Sequence, residues 1–334
     1  MKLFQSIFGG HDRQGGSYPE LLIQAAIERA VEGTDPRLKF VSGFRKRLRA
    51  PVIQAIDHVV DLVEAIPGSV VSGPGEYASE PCLCALFASG HGMLEILGRD
   101  AEVRDYLAGP GAGAERVTAL LLAECIEKKG LGVELVDDRL QREVAQVSVS
   151  FSAHRFLDPT DDEAETRRLL KRRAFDHLLT LALKRIVEAK IERADLARQR
   201  DLLRRKLKAL ETGGWSFGAP EAVHPTHAAL QDELDGITQQ LDAMGAETGL
   251  LDAHLEMLIE VLQGAADQLW GSTLELDLDA MNILRAPGDP SARHIHLGQL
   301  HNVLGRRLVM LPISFSPRDL PPREDFVSAA ERYL

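Results

Sequence analysis

A chain of 334 residues is long for one hydrophobic core, so two or three domains are expected, and an apolar share of 45% is ample for folded globular structure. The net charge of −11 excludes a general nucleic-acid binder, which needs a basic surface to meet phosphates. The cysteines Cys82, Cys84 and Cys125 have neither the even number of a disulfide framework nor the spacing of a zinc site, which implies a reducing, cytoplasmic setting. No apolar run reaches the roughly 18 residues of a membrane span.

From the N-terminus, Leu3, Phe4, Ile7 and Phe8 share one helical face, with Gly9–Gly16 as a loose tether behind them. Residues 1–16 therefore read as a flexible N-terminal segment. Its four apolar side chains either anchor the chain to a membrane surface or a partner groove, or pack back on its own core. Ser17-Tyr18-Pro19-Glu20 has the form of a capping box with proline in the first turn, which predicts a helix from Tyr18 to about Glu32. Helical spacing returns over Leu38 to Leu48 and, after Pro51, from Val52 to Ile66. Shorter helices are expected near 81–88, 91–97, 100–108 and 113–129, so residues 17–132 read as one helical domain. Arg37, Lys39, Arg45, Lys46, Arg47 and Arg49 crowd six cations into thirteen residues. Such a run serves an anionic lipid or phosphate-bearing partner, or it lies opposite an acidic neighbour; the overall acidity favours the second. Cys82 and Cys84 sit in an apolar helical run and read as packed thiols.

From Glu143 the period changes from 3.6 to 2, with Val147, Val149 and Phe151 alternating with Ser148, Ser150 and Ser152, which marks a half-buried strand. After the turn Asp158–Asp162, residues 163–269 read as two long helices folded against each other. Ten seam positions from 179 to 210 alternate steps of three and four, and eight are apolar; from Leu230 to Leu269 eleven of twelve are. Residues 163–212 carry a net +7 and residues 225–264 a net −8. Opposite charge sets partner and orientation while the apolar stripe supplies stability, since an exposed pair contributes at most about 1 kcal/mol. Reversal at Thr212-Gly213-Gly214 brings Leu207 near Leu230 and Leu196 near Leu241. Arg193 and Arg200 interrupt the seam, with Asp235 and Asp242 as their expected partners. At the tip, Trp215 and Phe217 either plug the open end of the seam or form the partner-binding contact that the arm presents.

Leu274, Leu276 and Leu278 alternate with Glu275, Asp277 and Asp279 in a second strand. His294-Ile295-His296-Leu297 supplies a third and Arg307 to Phe315 a fourth. Residues 133–162 and 270–322 thus form a small α+β base into which the hairpin is inserted, and 323–334 close the chain as a short helix or tail. His294 and His296 share a face; set against Glu275, Asp277 and Asp279, with His301 as a further donor, they suit zinc, iron or manganese. The plain alternative is the solvated face of a strand. There is no phosphate loop, dinucleotide fingerprint, nucleophile elbow or zinc-protease helix motif. The expected fold is α+β, predominantly α: an N-terminal helical domain, then a small antiparallel sheet interrupted by a long antiparallel coiled-coil hairpin. The expected function is a non-enzymatic interaction or scaffold protein with a protein partner, no cofactor and no nucleic acid. A metal-dependent enzyme at the small sheet and a peripheral membrane protein tethered by residues 1–8 are the alternatives.

Overall fold

A computed structural model describes residues 18–136, 139–211, 227–244 and 249–322. The anchor residues Leu3, Phe4, Ile7 and Phe8, the tip residues Trp215 and Phe217 and the tail 323–334 lie outside the described residues. The fold is α+β, and the chain divides into two compact units, one from the described residues of Met1–Ile56 and Phe175–Ala265, the other from those of Asp57–Ala174 and Ala266–Leu334.

Helix α1 (Glu20–Glu32) buries Ile23, Ala26, Ile27, Ala30 and Val31, the three-and-four spacing of one apolar face. Asp35 caps the 3-10 turn Pro36–Phe40 by accepting from the Arg37 amide at 3.1 Å. Helix α2 (Phe44–Glu64) then continues through Pro51, on either side of which the sequence shows separate runs of helical spacing. A proline inside a helix costs about 3 kcal/mol. Against that, Leu48, Val52, Ile56 and Val59 are fully buried on the same face, each contributing about 1.5–3 kcal/mol, so burial wins.

Strand β1 (Val70–Val71), helices α3 (Pro81–Leu86), α4 (Gly90–Arg99) and α5 (Ala101–Ala108), and strands β2 (Val117–Val136) and β3 (Arg139–Thr160) follow. The helix expected near 113–129 is therefore strand β2, and residues from 117 onward belong to the sheet rather than to a helical domain ending at 132. The cause is burial on both faces. Val117, Ala119, Leu121 and Ala123 pack with Leu83, Met93, Leu97 and Val103 of α3–α5, while Leu120 and Leu122 pack with Val63, Ile66 and Leu170. A strand covered on both sides shows no alternation, and its apolar run is indistinguishable by period from a buried helix.

Helix α6 (Glu163–Glu211) spans 49 residues, as the spacing predicts, with Glu163 and Glu165 at its positive end. The return segment is not one helix to Leu269. It comes as α7 (His227–Ala243), α8 (Leu250–Gln263) and the single turn α9 (Ala265–Gln268), and Gly264 caps α8. Leu269 instead opens strand β4 (Leu269–Leu278), which is followed by β5 (Arg293–Asn302) and β6 (Arg307–Phe315). The sheet order is β3-β2-β6-β5-β4 with every neighbour antiparallel, and β1 adds to β6 in parallel through Val70↔Ile313. Helices α6 to α9 lie in the connection between β3 and β4 of the one sheet.

In the first unit a buried carboxylate on the turn before the 3-10 helix meets cations from that helix and from α6, beside a buried imidazole of α8. Asp35, only 4% exposed, accepts from Arg37 Nη2 at 2.8 Å and from Lys190 Nζ at 2.9 Å. The Arg37 guanidinium holds the Asp35 carboxyl well below the usual carboxylate range. His254 of α8 is fully buried with its Nδ1 3.6 Å from Asp35 Oδ2, and among the described residues neither ring nitrogen has a hydrogen-bond partner. Burial, aided by the neighbouring Lys190 charge, pushes its pKa down, so the imidazole is neutral in the fold. The unfolded chain binds that proton more readily than the fold does. Stability therefore falls as pH drops below about 6.5, by at most about 1.4 kcal/mol per pH unit from this group. Urea unfolding at pH 7.5 and 5.5 measures the drop, which should shrink in His254→Leu; an unchanged pH slope in that variant rules the assignment out.

Candidate functional site

Strands β4 and β5 bring the histidines and carboxylates of the sequence reading to one surface. Glu275 pairs with His296 and Asp277 with His294, while Leu276, Leu278, Ile295 and Leu297 point into the core on the other face. Alternation along two paired strands makes this sorting compulsory. His294 Nδ1 lies 2.8 Å from Asp277 Oδ1, and His296 Nδ1 lies 3.4 Å from Glu275 Oε1. The imidazole rings meet edge to face at 4.4 Å. One ligand atom from each of Glu275, His294 and His296 falls within 4.8 Å of the others, and all three side chains are exposed.

Two of the expected donors are elsewhere. His301 follows His296 by five residues, an odd step, so it faces the opposite side, where it stacks on Trp270 at 5.5 Å and bonds Ser272 Oγ at 2.7 Å. Asp279 holds the turn after β4: one oxygen accepts from the Met281 and Ile283 amides at 2.8 and 3.0 Å, the other pairs with Arg285 at 2.9 Å. Glycines define where the face is covered. Met310 Cγ would stand 2.8 Å from a Cβ added at Gly298, and Leu62 Cδ1 3.2 Å from one at Gly271. Met310 and Leu62 thus lie over this end of the strand pair, and His294 and His296 sit beyond it.

Other sequence candidates resolve into structure. Arg37, Lys39, Arg45, Arg47 and Arg49 each meet a carboxylate: Asp35, Glu28 with Glu32, Glu28 again, Asp252 with Glu256, and Glu20. Five of the six cations of the basic run are thus matched by acidic neighbours within their own unit. Cys82 donates to the His296 carbonyl at 3.5 Å and Cys84 to the Tyr77 carbonyl at 3.0 Å; burial pushes the Cys82 and Cys125 thiols up, which makes them poor nucleophiles. On α6 and α7, Leu203, Leu207, Leu230, Ile237 and Leu241 form one buried cluster with Leu196 and Leu234 against it. Arg200 pairs at 3.2 Å with Asp201 of its own helix instead of with Asp235 or Asp242. The adjacent carboxylate is reached without spanning the seam. Sequence reasoning missed the buried Asp35 and His254; the only signal is an imidazole between Leu251 and Leu255 on an apolar helix.

No protein-family profile, curated protein or solved structure matches the chain. Among the described residues, no helix is long and apolar enough to cross a membrane.

Since Gly298 admits Met310, Gly298→Val is expected to cost about 1–3 kcal/mol through overpacking, read as a lower midpoint in chemical unfolding. A variant as stable as the parent would show that the strand pair is not held this tightly.

Proposed function

We propose that the chain is a non-enzymatic interaction or scaffold protein of the cytoplasm. In this reading α6 and α7 form an antiparallel coiled-coil hairpin that presents Trp215 and Phe217 to a protein partner. The observation that carries it is the leucine cluster shared by α6 and α7, with Leu207 and Leu230 in it as seam register requires. Charge supports the same pairing: the outgoing helix is a net +7 and the return segment a net −8. Such charge gives orientation, and the buried leucines supply the stability. An arm of this kind is a spacer, and nothing in its composition calls for nucleic acid or a cofactor. The free thiols of Cys82, Cys84 and Cys125 agree with a reducing compartment.

Two experiments test the reading. Leu207→Cys with Leu230→Cys, placed in a chain whose native cysteines are serine, should oxidise to a cross-linked monomer. Covalent dimers instead would mean that the seam pairs between chains. Trp215→Ala with Phe217→Ala should leave the melting temperature unchanged while abolishing capture of the proteins that the parent retains from its own cell extract. If the double variant melts early and binds as before, the aromatic pair is a plug and the partner-binding role fails.

A further inference from the structure

We propose that the exposed face of β4 and β5 binds one divalent transition-metal ion through Glu275, His294 and His296. Three observations lead there. The donor atoms are already within 4.8 Å of one another. Bonds to zinc are about 2.0–2.1 Å, which sets donors about 3.3 Å apart around one tetrahedral ion, so rotation of exposed side chains closes the gap without moving backbone. Asp277 lies 2.8 Å from His294 Nδ1. A carboxylate there fixes the ring with Nδ1 as donor and leaves Nε2 with its lone pair for a metal, the usual arrangement behind a ligating histidine. Finally, the backbone is preorganised, because Leu276, Ile295 and Leu297 on the reverse face of the same strands are buried in the core.

The chemistry of the donors selects the ion. Two imidazole nitrogens and one carboxylate suit zinc, nickel, copper or iron, whereas magnesium and calcium require an oxygen shell. Three protein donors on an open surface leave coordination positions for water, which is the pattern of exchangeable sites and not of closed structural zinc. His301 has no part in it, since it lies on the opposite face beside Trp270.

Zinc titrated into the tag-free full-length protein by calorimetry should show one ion per chain. His294→Ala and His296→Ala should each weaken binding at least about 10-fold and together abolish it, Asp277→Asn should weaken it about 10-fold, and His301→Ala should leave it unchanged. Zinc should also raise the melting temperature of the parent and not of the double histidine variant. The zinc-free melting temperature of each variant checks that the fold is intact. The proposal is overturned by any of three results: no saturable binding up to about 1 mM zinc, equal stoichiometry in the double histidine variant, or magnesium binding as tightly as zinc.

Discussion

Everything in the second unit depends on the stretch Val117–Ala123 being buried on both faces. Its amide and carbonyl groups cannot reach water, so they must be paired within protein on both edges of the strand. β3 takes one edge and β6 the other, and the side chains are divided between two apolar layers, with α3–α5 on one side and the residues Val63, Ile66 and Leu170 on the other. Once β2 and β6 are joined, β5 pairs with the free side of β6 through Gly298↔Met310, and β4 pairs with β5. Beyond the β5 pairing, the short β1 fills that same side of β6 at Ile313 and Ser314.

The candidate metal face is a consequence of this order. β4 is the last strand of the path, and the apolar layer containing Met310 and Leu300 covers the sheet as far as Gly298. The next two outward positions of β5 are His294 and His296, which remain in solvent opposite Asp277 and Glu275. One surface therefore joins a rigid backbone with solvent-exposed side chains. Rigid strands carry the precision and exposed rotamers carry the adaptability that an exchangeable ion requires.

The first unit handles charge differently. Its basic run is distributed among carboxylates of neighbouring helices, which fits pairs that orient elements while apolar faces hold them together. Asp35 is the exception, because a buried carboxylate must be compensated, and both Arg37 and Lys190 are committed to it. His254 lies beside that cluster as a neutral, unbonded imidazole. A fully apolar residue would fill the space at no loss of hydrogen bonds, so the site stores sensitivity to protons in place of stability.

Local pattern alone determined several elements. The alternation of Val147 to Ser152, of Leu274 to Asp279 and of His294 to Leu297 reads directly as strand, because each has one wet face. The three-and-four spacing of α6 reads as helix because eight of ten positions in one stripe from 179 to 210 are apolar. The shared surface of His294 and His296 follows from a step of two. Tertiary structure alone decided the rest. Nothing local separates a doubly buried strand from a buried helix, so β2 is visible only once both its faces are covered. The passage of α2 through Pro51 depends on burial that local propensity does not contain. The opposite facing of His301 is arithmetic available in the sequence, but which strand lies beside β5, and in what register, is fixed only when β6 and β4 take its two edges. Asp35 and His254 lie 219 positions apart, and only the packing of α8 against the turn after α1 brings a carboxylate and an imidazole into one buried cluster.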